Sequence, residues 1–233
     1  MAAIAAIAGL ASLGVWQLHR LAWKKDLIHR VDERIHADPV PAPGPDEWPH
    51  VTAASSEYRN VRVQGHYLHE RETLVQAVTV RGAGFWVVTP LQTTGGYTVL
   101  INRGFVLPQY RAAETRTASQ TAGETTVTGL LRLSETGRGF LRENDPAADR
   151  WYARDVAAIA AARDLTNVAP YFIDAAAGDS SAPGAPVGGL TVVSFRNTHM
   201  QYALTWFALA LMVAGGAALV FRHEWRLRNP RSG

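Results

Sequence analysis

Two stretches without a charged residue, 1–18 and 200–221, bracket a long middle in which apolar and polar residues alternate. At 1.5 Å per residue, helices over these stretches would be about 27 and 33 Å long, close to a bilayer core. The first lacks a basic leading region and has no small-residue cleavage pattern before His19-Arg20. It predicts an uncleaved anchor, with a few cytoplasmic residues preceding it, rather than a signal peptide. Trp16 and Trp23 mark the exit of the first span, Tyr202 and Trp206 the entry of the second, and Trp225 its far end. Such aromatic placement suits two antiparallel spans.

The middle reads as strands. Runs rich in β-branched and aromatic residues fall at 58–67, 73–80, 85–92, 97–106 and 125–133, with shorter ones at 171–173 and 190–195. Gly82-Ala83-Gly84 and Gly95-Gly96 are turn signals between neighbours, and one helix is predicted over 155–163 with Asp155 in its first turn. Five prolines between Pro39 and Pro49 predict a stiff, extended spacer. The expected class is a membrane protein with two transmembrane helices flanking a β-rich, α+β extracytoplasmic domain. Its parts are a first span at 1–18, a juxtamembrane segment and Pro-rich linker at 19–49, the β-rich domain at 50–198, a second span at 199–221 and a basic cytoplasmic tail at 222–233.

Charge supports that layout. Residues 37–195 hold 13 Arg against 16 Asp and Glu, while the whole chain is +3, so the excess of base sits at the two ends. Arg222, Arg226, Arg228 and Arg231 face only Glu224 in the tail, which puts both termini in the cytoplasm and the body outside it. No continuous basic patch points to nucleic acid. With 47% apolar and 18% charged residues the chain is not disordered as a whole. The chain has no cysteine, which excludes iron–sulfur clusters, CxxCH haem attachment and thiolate copper or zinc sites. Its three methionines exclude a Met-rich copper site.

Motifs for catalysis are missing from the sequence. Lysine occurs only at 24 and 25, so there is no P-loop, and no dinucleotide fingerprint, GxSxG elbow or HExxH pair occurs. His66 and His69, three apart in a strand-like run, would point to opposite faces. The unusual residues collect where the last strand enters the second span. At helical spacing His199, Tyr202, Ala203, Trp206 and Ala210 share a face, and Ala8, Ser12, Trp16 and His19 share one on the first span. His199 is either a functional group at the membrane boundary or a capping residue beside an ordinary aromatic belt. Ala5, Ala8, Gly9 and Ser12, and Ala203, Ala210, Ala214 and Ala218, form small-residue stripes that permit close helix packing or merely reflect Ala-richness.

Several motifs together resemble the Surfeit locus protein 1 family, over nearly the whole chain. They are Gly14-Val-Trp-Gln17 with Arg20 and Lys24, Tyr58-Arg-Asn-Val61 leading to Gly65, Asn102-Arg-Gly104 with Pro108, Pro170-Tyr171-Phe172, and the run from Asn197 through Thr-His199 to Trp206-Phe207. Phe105 stands where Trp is usual. The resemblance implies a non-enzymatic role in assembling a bacterial haem–copper cytochrome c oxidase, in the inner membrane with a periplasmic body. It implies haem a as a transient cofactor with His199 as iron ligand, and subunit I and haem a synthase as partners besides membrane lipid. On that reading Tyr202 and Trp206 would wall the ring, Arg196 or Arg20 would pair with propionates, and His19 would offer a second axial ligand. The alternative is a structural chaperone that stabilises subunit I without carrying haem.

Overall fold

A computed structural model describes residues 1–135, 142–178, 182–190 and 198–228. The chain divides into a helical unit, Met1–Arg30 with Val193–Gly233, and a body, Val31–Val192. Its α-helices are α1 (Ala2–His36), α2 (Val156–Ala162) and α3 (His199–Arg228). Both α1 and α3 are long and apolar enough to cross a membrane.

α1 does not stop at Leu18. It runs 35 residues to His36 because no Gly or Pro interrupts 15–37, and Pro39 is the first breaker. Basic residues end both long helices, Arg34 and His36 in α1 and Arg226 and Arg228 in α3, where the helix dipole favours them. α2 coincides with the predicted helix, and the Asp155 carboxylate caps it by accepting from Ala158 N at 3.1 Å.

Among the described residues the body is built on seven strands: β1 (Val40–Pro41), β2 (Asn60–Tyr67), β3 (Thr73–Thr79), β4 (Gly82–Thr93), β5 (Thr98–Val106), β6 (Glu124–Leu133) and β7 (Val168–Ala175). Their order is β1-β2-β6-β7-β5-β4-β3, and a further pairing of β2 with β4 joins the sheet to itself. Five strands, β2, β6, β7, β5 and β4, thereby form a barrel-like ring. The seam is Gly65–Tyr67 of β2 against Leu91–Thr93 of β4, and it needs glycine: a Cβ on Gly65 would lie 2.2 Å from Gln92 O. Only a residue without a side chain lets the backbones approach this closely.

Alternation sorts the core into two parts. Val61, Val63, Leu91, Val99, Ile101, Val127, Leu131, Tyr171 and Ile173 fill the barrel. Leu100 and Phe172, one residue out of phase, face the other way and pack with Val75, Val88, Trp151 and Ile159 beneath α2. β5 and β7 pair in parallel, and β5 is buried along nearly its whole length, which suits the apolar residues at 99–101 and 105–106.

Four local expectations are revised. The Pro-rich stretch is not a free spacer. Val40–Pro41 pairs with β2, Trp48 packs edge-on against Tyr97 with centroids 5.7 Å apart, and the Tyr171 hydroxyl donates to Pro43 O at 2.7 Å. The turn between β3 and β4 falls at Val80-Arg81, Gly82 closes it at φ 102° as the first residue of β4, and Gly84 lies inside the strand, where it gives room to Phe105, whose ring would lie 2.5 Å from a Cβ there. β7 extends well beyond 171–173, because Pro170 falls where the β5–β7 register shifts and its missing N–H costs no ladder bond. His69 leaves the strand for a short 3-10 turn. Of the strand expected at 190–195, Leu190 is outside any strand and the rest lies outside the described residues.

Candidate functional site

In the helical unit, α1 and α3 meet through small residues and one aromatic ring. Gly14 is buried, and a Cβ there would lie 2.7 Å from the Phe207 ring, so the ring rests on the α1 backbone. Ala203 and Ala210 are buried on the facing side of α3. One turn along α1 from Gly14, Gln17 reaches His199 at the start of α3, with Gln17 Oε1 and His199 Nδ1 2.8 Å apart. With Oε1 as the acceptor, Nδ1 carries the ring proton and Nε2 the lone pair.

The other expected site residues divide. Tyr202 is exposed and Trp206 half-buried on the flank of α3 that also bears His199. The structure does not bring His19 to His199. Two residues along a helix is about 200° of rotation, so with Gln17 turned to α3, His19 lies on the exposed face. Arg20 is exposed as well, its guanidinium 4.8 Å from the centroid of the Trp23 ring. The α1 stripe of Ala5, Ala8, Gly9 and Ser12 is largely exposed, and the Ser12 hydroxyl donates to Ala8 O on its own helix. Arg196 lies outside the described residues.

The body holds two charge networks that spacing did not suggest. Asp174 of β7, 3% exposed, accepts from Asn102 Nδ2 at 2.7 Å, Arg132 Nη1 at 2.9 Å and Arg154 Nη1 at 2.9 Å. Arg154 also pairs with Glu135 and stacks over Phe172. Burial pushes the Glu135 carboxyl up, but the hydrogen bonds and charge of Arg154 prevail and hold it below its ordinary value. In the second network Glu72 accepts from the fully buried Arg116 at 2.6 Å, while Arg103 Nη1 stands 4.0 Å from the same carboxylate. Partners 19 to 72 positions apart leave no local signature in a sequence. Among the described residues, no group of three His, Asp or Glu side chains is placed to hold a metal ion.

Comparison with known proteins agrees with the motif pattern. The SURF1 family matches residues 4–211. The chain is 41% identical to Surfeit locus protein 1 of Mus musculus over 213 residues, covering 84% of this chain and 67% of the mouse protein. It is 39% identical to the Homo sapiens protein of that name over 215 residues, 85% and 69% of the two chains. A SURF1-like protein of Monosiga brevicollis is 32% identical over 211 residues, 85% and 78% of the two. A match over most of the length, taking in nearly all of α1, the whole barrel and the start of α3, means that the chain belongs to the SURF1 family.

Proposed function

We propose that the chain is a membrane-anchored, non-catalytic assembly factor for a haem–copper cytochrome c oxidase, which binds haem a through His199 and assists its insertion into subunit I. The SURF1 family is one of cytochrome oxidase assembly factors, and membership carries the general part of this reading. The haem-binding part rests on one observation, the hydrogen bond between His199 Nδ1 and Gln17 Oε1. Iron-binding histidines characteristically engage their other ring nitrogen with an oxygen acceptor, which fixes the tautomer and the ring orientation. Gln17 supplies that oxygen, and a neutral imidazole is an ordinary haem ligand.

Haem a is amphipathic, so its carrier should hold it at the edge of the bilayer. His199 opens a helix long and apolar enough to span one, and Tyr202 and Trp206 offer flanking ring surfaces on the same flank. Arg196 and Arg20 are the proposed propionate partners. The exposed position of His19 argues against it as a second ligand supplied from between the two helices.

For location we propose a bacterial inner membrane, with both termini cytoplasmic and the barrel periplasmic. Arg222, Arg226 and Arg228 at the end of α3 support that orientation. The proposed partners are oxidase subunit I, haem a synthase and membrane lipid. A second reading, a chaperone that stabilises subunit I without carrying haem, draws on the same hydrogen bond taken as a lock between α1 and α3.

Deleting the protein tests the general reading. Cytochrome oxidase activity should fall while extractable haem a persists. Loss of extractable haem a would assign the protein to haem synthesis instead. Unchanged oxidase activity would contradict an assembly role.

A further inference from the structure

Among the described residues of the body, three large apolar side chains are exposed: Val40 at 38%, Val78 at 84% and Val80 at 90%. All the others belong to the helical unit, where α1 and α3 are long and apolar enough to cross a membrane. Val78 lies near the end of β3, and Val80 with Arg81 makes the two-residue loop between Thr79 and Gly82. Two-residue hairpin loops favour Gly, Asn and Asp. A valine at such an apex serves neither the turn nor the core.

The valines are held out on an ordered finger. β3 and β4 stay in register from Thr73 and Val88 to Thr79 and Gly82, and Arg81 N donates to Thr79 Oγ1 at 3.1 Å. Arg81 is the one charged residue between Gln76 and Phe85. It is exposed, and its guanidinium has no hydrogen bond or ion pair among the described residues. Aliphatic groups beside an uncommitted guanidinium match the interface of a phospholipid bilayer, where apolar side chains pass below the headgroups and arginine meets phosphate.

A bilayer is within reach along the chain. Val78, Thr79 and Val80 border the same hollow as Gly189 and Leu190. Leu190 precedes His199, where α3 begins, by nine positions, a tether of at most about 32 Å. Contact of two valines with lipid is weak alone, but a tether of this length keeps the local concentration of bilayer high.

We propose that the tip of the β3–β4 hairpin docks into the interface of the bilayer that α1 and α3 span, with Val78 and Val80 below the headgroups and Arg81 against their phosphates. The inference rests on the membrane-anchored reading of the chain.

Because the chain has no cysteine, Val80→Cys carries a single nitroxide label. The full chain is reconstituted in vesicles of phosphatidylglycerol and phosphatidylcholine, and collisions of the label with oxygen and with a water-soluble nickel chelate are compared by power saturation. Oxygen should dominate, as it should for a label at Leu211→Cys on the exposed surface of α3. Adding Val78→Asp and Arg81→Glu should shift the Val80 label to nickel-dominated collisions with melting unchanged, since both side chains are exposed. A label that stays in lipid in that variant would refute the roles given to Val78 and Arg81. A Val80 label in water beside a Leu211 label in lipid would overturn this inference alone, and protection of the tip only in native membranes would assign it to a protein partner instead. Both labels in water would overturn the anchored reading and this inference with it.

Discussion

His199 on α3 and Gln17 on α1 are 182 residues apart in sequence and 2.8 Å apart side chain to side chain. In a water-poor setting such a bond both orients the imidazole and ties the helices. The two effects can be separated by experiment.

Gln17→Ala removes the acceptor while leaving the iron ligand. If the bond orients His199 for iron, haem content per protein should fall about 10- to 100-fold in affinity terms, read as Soret absorbance over a haem titration. Unchanged affinity would reduce the bond to a helix lock.

Gly14→Leu should separate α1 from α3, because the added side chain would overlap the Phe207 ring. Overpacking of this kind costs about 1–3 kcal/mol. The check is thermal unfolding of the full chain in detergent, together with the compensating Gly14→Leu/Phe207→Ala double variant. The pair should show strong coupling, and simple additivity would refute the contact.

Asp174→Ala leaves the guanidinium groups of Arg132 and Arg154 facing each other in the body without their shared carboxylate. Breaking a buried pair in this way costs about 3–5 kcal/mol. Denaturant unfolding of the variant should show that loss, and a change below 1 kcal/mol would mean the network is better hydrated than its burial indicates.

Acid should weaken the body through Glu135, whose carboxyl is held low by Arg154 against the effect of burial. A depressed carboxylate contributes stability that is fully present above its unfolded value near 4.3. That contribution disappears as pH falls through the lower folded value. Glu135→Gln should flatten this part of the acid limb in a melting-temperature series between about pH 5 and 2. An unchanged acid limb would assign the loss to other carboxylates.

Much of the fold was legible in the sequence, and the reasons for the exceptions are local. Uncharged runs and their flanking tryptophans mark α1 and α3, and β-branched alternation marks β2 to β6. Closure of the ring was not visible, because the β2–β4 seam depends on one close backbone approach at Gly65 that resembles any other strand glycine in sequence. The small-residue stripe of α1 at 5, 8, 9 and 12 does not mark its packing face, because Ala-richness alone produces such a stripe. The packing phase is instead set by Gly14 beneath Phe207, and this turns Gln17 inward. His199 was legible as a candidate because it begins an apolar helix within a specific motif. Its partner became visible only when the two ends of the chain were brought together.

The most direct measurement is the absorption spectrum of the full chain purified from cells that make haem a. A carrier that uses His199 should show a haem Soret band that disappears in His199→Ala, while the far-ultraviolet circular dichroism shows the helices and the barrel retained. A haem-free wild-type protein from such cells, or a Soret band that survives in His199→Ala, would contradict the account.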